Sequence, residues 1–193
     1  MKTLIIIFTF LPLFICTQNL IQFNTDRNKI DKNLMTGLGS WASFNLIGSG
    51  IGWASSKESD LKYFHQMNVM WNMVNLGLAI PGYFKARKND FEFTLSESLE
   101  AQHKTEKIFL FNSGLDFAYI TSGFLLRSMA QNNLDRKEQL NGYGSSLILQ
   151  GSFLLIFDIS AYLIHKNHAN KTINKELKKI QLSTSGLGIK LSF

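Results

Sequence analysis

Lys107-IFLFNSGLDFAYITSGFLL-Arg127 is the stretch that decides how the chain is read. Nineteen residues separate the two cations, and the only formal charge among them is Asp116, close to the centre. As a helix they reach about 28 Å, near the roughly 30 Å hydrocarbon thickness of a bilayer. A carboxyl at that depth is costly unless it turns into a bundle and finds partners there. The stretch therefore predicts a membrane helix with a polar inner face.

Three more stretches share its design. Lys32 to Lys57, Lys62 to Lys85 and Glu138 to Lys166 enclose no Lys, Arg or Glu, and Asp158 is the one acid inside them. The expected architecture is all-α: a four-helix transmembrane bundle with spans at 33–56, 62–85, 108–127 and 144–166. Residues 86–107 form an extramembrane connection and the start of the third helix, and 167–193 a polar tail. The competing reading, a soluble bundle with long core helices, draws on the many Asn, Ser and Gly residues within the spans. Gly48, Ser49, Gly50 and Gly52 give the first span a small-residue surface for close helix approach. Pro81 is expected to kink the far end of the second.

The N-terminus reads as a signal peptide over 1–18, with Lys2, the apolar run Leu4–Cys16 and a cut near Thr17 or Gln18. Ile15 before Cys16 argues against a lipoprotein site, and a single cysteine excludes an internal disulfide. Polar residues 19–32 follow, with Asn24, Thr25 and Asp26 as expected helix caps. The location implied is a bacterial inner membrane, multi-pass, with the mature N-terminus periplasmic. The lysines and arginines argue for the opposite orientation. Three lie in the N-terminal segment, five in 85–107 and six in the tail, against two and three in the other loops.

The second connection has order of its own. Phe91-Glu-Phe-Thr-Leu95 alternates as a strand does, and Thr94 with Glu97 forms a capping box that starts the third helix near Leu95. Leu187–Phe193 alternates too, and antiparallel spans bring both runs to one side, which predicts a small two-stranded element formed by the connection and the tail. Gly142-Tyr-Gly144-Ser-Ser reads as a turn and cap before the fourth helix.

The polar groups inside the spans keep a register. Trp41-x3-Asn45, Trp71-x3-Asn75, Asn112-x3-Asp116 and Leu154-x3-Asp158 align, and seven residues further on stand Gly52, Gly82, Gly123 and His165. Antiparallel packing places Asn45, Asn75 and Asp116 at similar depth, and His65, Asn68, Asn72 and Asn75 share a helix face. The candidate ligand or proton site is Asn45, His65, Asn68, Asn72, Asn75, Asn112, Asp116 and Asp158. Interhelical hydrogen bonding explains the same residues as packing. His103, His165 and His168 with Glu106 are weak metal candidates whose spacing is not diagnostic. No nucleophile, base and orienter stand together, so the chain is expected to be non-enzymatic and without cofactor.

The net charge of +6 points to anionic lipid headgroups. No basic run is interleaved with stacking aromatics, so nucleic acid is not an expected partner. The bilayer is, together with a membrane-protein partner or a second copy.

Gly39-Ser-Trp-Ala42, the run YFHQMNVMWNMVNLG over 63–77, AQHKTEKIFLFNSGLD over 101–116 and LQGSFLLIFDISAYLIH over 149–165 resemble an uncharacterised family of four-span bacterial membrane proteins of Bacteroidetes type. Its motifs are YFHQMNxxWNxxNLG and LFNxGLD. The resemblance implies fold and membrane location, and no chemistry. Ala101 departs from the acid found before QHK in similar members.

Three functions follow as expectations. The first is an integral membrane protein whose polar cluster serves packing or binds a partner or ligand. The runner-up is a small transporter or channel-like protein using Asp116 and Asp158. The third is a metal- or haem-using enzyme with His65, His103, His165 or His168.

Overall fold

The computed structural model describes residues 2–88, 93–172, 180–182 and 189–191. Four helices carry it: α1 (Lys2–Ser55), α2 (Ser59–Lys85), α3 (Leu95–Ala130) and α4 (Lys137–Lys171). A single 3-10 turn, Leu134–Arg136, precedes α4, and strands β1 (Ile180–Leu182) and β2 (Ile189–Leu191) follow it. α1 packs along α2 and α3 along α4, and the two hairpins join mainly through α2 and α4.

The fold class is all-helical, as the apolar spacing predicts, but several boundaries differ. α1 does not begin near residue 33. It runs unbroken from Lys2, so its 54 residues reach about 80 Å. Asn24, Thr25 and Asp26 are accordingly interior helix residues and not caps. Thr25 donates to the carbonyl of Ile21 and Asn24 to that of Leu20, one turn back. The polar segment 20–31 is held because it lies against α3 and α4, where Phe23, Asn24 and Arg27 are buried.

α3 starts as expected. The Thr94 hydroxyl accepts from the Glu97 backbone N–H, and the Glu97 carboxylate accepts from the Thr94 N–H and hydroxyl. Those bonds hold the Glu97 carboxyl below its ordinary range.

The small sheet is not the expected one. β2 pairs antiparallel with β1, Gln181 opposite Lys190, and so finds its partner within the tail. Phe93 and Thr94, from the connection, are not in a strand. The remaining residues of that expectation, 91–92, 187–188 and 192–193, lie outside those described. A short local hairpin closes a smaller loop than a pairing across the length of α3 and α4.

Gly142-Tyr-Gly144 is helix and not a turn, because α4 already begins at Lys137. Its glycines serve contact. A Cβ on Gly123 would stand 2.6 Å from the Gly144 carbonyl oxygen, and one on Gly144 would stand 2.6 Å from the Gly123 carbonyl oxygen. One on Gly142 would collide with Asp60 O and Phe64 N of α2. α4 is thus pressed against both neighbours at backbone distance.

The buried positions repeat every seven residues. On α3 they are Gln102, Phe109, Asp116, Gly123 and Ala130; on α4 steps of three and four join Gly144, Leu147, Gly151, Leu154, Asp158, Ala161 and His165. That period is the geometry of helices packed about 20° off parallel. It also explains why the aligned polar groups of the sequence are followed seven residues later by Gly or His.

The interior mixes polar side chains with an apolar cluster of Leu38, Ala79 and Leu154, and many large apolar side chains face outward. Asn68, Asn72, Asn75, Gln102, Gln150, Asp116, Asp158 and His165 are buried, whereas Phe44 is 77 % exposed and Ile156 69 %. Among the described residues two helical stretches, Leu95–Ala130 and Leu134–Lys171, are long and apolar enough to cross a membrane, where the sequence predicts four.

Close contact at Gly123 is specific, so Gly123→Ala should cost about 1–3 kcal/mol in chemical unfolding of the purified protein. Gly114, with nothing within 4 Å of a Cβ, should accept Ala with no loss or a gain of up to about 1 kcal/mol.

Candidate functional site

Three polar groups of side chains lie along the seven-residue repeat. The first joins α1, α2 and α4. Asn68 Oδ1 accepts from Ser146 Oγ at 2.9 Å and from Gln150 Nε2 at 2.8 Å, and Gln150 Oε1 accepts from Trp41 Nε1 at 3.1 Å. The Trp41 ring stacks on Phe153 with centroids 3.8 Å apart. One turn along α2, Asn72 donates to the carbonyl of Asn68, and Asn75 donates to Asn72 Oδ1 at 3.4 Å.

The second group is the acid pair. Asp116 is 3 % exposed and Asp158 5 %. The two acids are near enough that each bears on the charge of the other. Asp116 Oδ2 is buried and receives no hydrogen bond from any amide, hydroxyl or amine among the described residues. Two carboxylates at one buried place repel each other, a repulsion that a proton on one of them removes. Gly151 makes room beside it: a Cβ there would lie 3.1 Å from the Asp116 carbonyl oxygen.

The third group lies where α1, α3 and α4 meet, beyond the longest apolar runs. His165 is fully buried, and its Nε2 is 3.0 Å from Asp31 Oδ1, at an angle short of an aligned hydrogen bond. Its ring lies over Phe109. Gln102 Nε2 donates to the His165 carbonyl at 2.9 Å and to Glu106 Oε1 at 2.8 Å. Asn24 Nδ2 donates to Ser98 Oγ at 2.8 Å. The half-buried His168 is stacked on Phe23 and lies 3.1 Å from the Phe23 carbonyl oxygen. Burial pushes the His168 pKa down, with smaller contributions from His165 and Arg27, against the opposing pull of the Phe23 carbonyl and Asp26.

Of the candidates from sequence, the structure therefore joins Asn68 to Asn72 and Asn75, and Asp116 to Asp158. Asn45 is not part of a ring. It is half-buried and donates to the carbonyl of Trp41 in its own helix. Asn112 is half-buried. His65 is packed against Gly52 of α1, with its buried Nδ1 unpartnered.

The metal candidates do not assemble: His103 is exposed, and no three His, Cys, Asp or Glu side chains group as a metal site among the described residues. Ser146, Gln150, Asp31 and Gln102 are the members that sequence reasoning missed. Extending the seven-residue step would have reached two of them, since Asp31 stands two steps before Asn45 and Gln102 two steps before Asp116.

Residues 37–159 match a family described as a family of unknown function (DUF6992). The chain belongs to that family. The matched span covers the amide group and the acid pair, and agrees with the resemblance to an uncharacterised family. No curated protein and no solved structure matches the chain.

Three outcomes are expected of these residues. Asn68→Leu leaves the Ser146 hydroxyl and the Gln150 amide without their acceptor, at about 1–3 kcal/mol each. Asn45→Leu should stay within about 0.5 kcal/mol of the parent in the same unfolding assay. Because His168 is depressed below its unfolded value of about 6.5, its contribution to stability is complete above that pH. It falls as pH drops below 6.5, until the folded form also protonates, and His168→Phe should flatten that part of the profile.

Proposed function

We propose that the chain is a multi-pass integral membrane protein, non-enzymatic, whose polar interior locks the helices in register and binds one proton between Asp116 and Asp158. The observation that carries this reading is the acid pair: two neighbouring acids, both buried, inside a bundle that turns many large apolar side chains outward. Water stabilises the folding of soluble helices by driving apolar faces inward. Here Phe44, Ile47, Val74, Leu78, Phe111, Phe117, Phe124 and Ile156 face outward from all four helices. A lipid solvent makes that arrangement favourable, and it also makes interior amides seek one another. The lipid bilayer is then the first partner, and the resemblance drawn from sequence motifs favours a bacterial inner membrane.

A second reading, passage of protons or small cations, is supported by the succession of buried polar groups from Ser146 to His165. Transporters hold coupling ions at such interior positions. Proton flux into vesicles carrying the protein, measured with an internal pH dye, separates passage from static binding.

The proton itself is tested by infrared spectroscopy of the protein in lipid. A protonated-carboxyl band should be present at neutral pH, and Asp116→Asn and Asp158→Asn should each shift or remove it while the protein still accumulates in the membrane. A wild-type spectrum without that band contradicts the reading.

A further inference from the structure

We infer that the Asp31–His165 contact is the proton-exchange station through which the Asp116–Asp158 pair communicates with water; this rests on the proton-binding reading of that pair. The Asp31 side chain is 26 % exposed and the His165 side chain 0 %, with 3.0 Å between Oδ1 and Nε2. One member meets solvent and the other lies wholly inside. An imidazole with a nitrogen on each side of the ring can take a proton at one and release it at the other. His165 Nδ1 is buried and has no partner among the described residues, so it is free for that exchange.

His165 also stands one seven-residue step from Asp158 on α4, about 10 Å along the helix. Phe109 stands one step from Asp116 on α3, on the same side. Its ring is stacked 5.7 Å from His165 and edge-on 6.4 Å from Phe157. The relay and the pair are thus consecutive layers of one repeat, with the Phe109 ring beside His165 in the same layer.

The step balances as a proton transfer. Hydronium protonates the Asp31 carboxylate and leaves water, Asp31 passes that proton to Nε2 as Nδ1 releases one toward the pair, and the proton the pair held before leaves by the same steps in reverse, so that pair, imidazole and carboxylate end as they began. No other bond changes. The charged and titratable groups that face His165 are Asp31 from α1, Glu106 from α3 by way of Gln102, and His168 from α4, which itself feels Asp26 and Arg27 of α1.

The test follows hydrogen–deuterium exchange of the carboxyl band of the acid pair, in the full chain held in lipid nanodiscs. Asp31→Asn and His165→Phe, the latter keeping a ring over Phe109, should slow exchange by at least about tenfold. A merely structural role predicts the opposite sign, because a loosened bundle admits water and exchanges faster. A band that exchanges at the wild-type rate or faster in both variants overturns the relay and leaves the acid pair standing. A wild-type protein without the band overturns the pair, and the relay with it.

Discussion

Where Gly123 faces Gly144, two helices approach to a distance that no side chain larger than hydrogen permits, and the rest of the interior is arranged around that approach. One step along α4, Gly151 extends the close contact to Asp116, and a further step brings Asp158 to the same carboxyl. Backbone proximity sets the register, and the register decides which polar groups meet. A slip of one residue would move Asp116 off the seam and onto the apolar outside.

The amide group depends on the same register at one remove. α4 is pressed against α2 at Gly142, which brings Ser146 and Gln150 level with Asn68, and Gln150 in turn reaches Trp41 of α1. Interior polar contacts are worth only about 1 kcal/mol each in a bilayer. Their direction counts for more than their strength. Hydrogen bonds with fixed donors and acceptors discriminate between registers that apolar packing would treat alike.

Much of this was legible in the residues. Asp116, alone between Lys107 and Arg127, could be stable only facing inward, and Thr94 with Glu97 marked where α3 begins. What was not legible depended on neighbours. Residues 20–31 are polar and offer cap residues at Asn24, Thr25 and Asp26, yet lie inside the helix because Asn24, Arg27 and Asp31 find Ser98 and His165 on other helices. Gly142 and Gly144 look like a turn because glycine is a poor helix former, a local preference that close packing overrides. The tail's strand found a partner a few residues away, which alternation alone does not specify.

The central claim is that this bundle is turned inside out relative to a soluble one, with lipid as its solvent. Spin labels placed singly at Phe44, Val74, Phe117 and Ile156, one on each helix, test it in the protein reconstituted in bilayers. The account predicts that all four are reached by dissolved oxygen and shielded from a water-soluble paramagnetic metal complex. Labels reached freely by the water-soluble complex would contradict it.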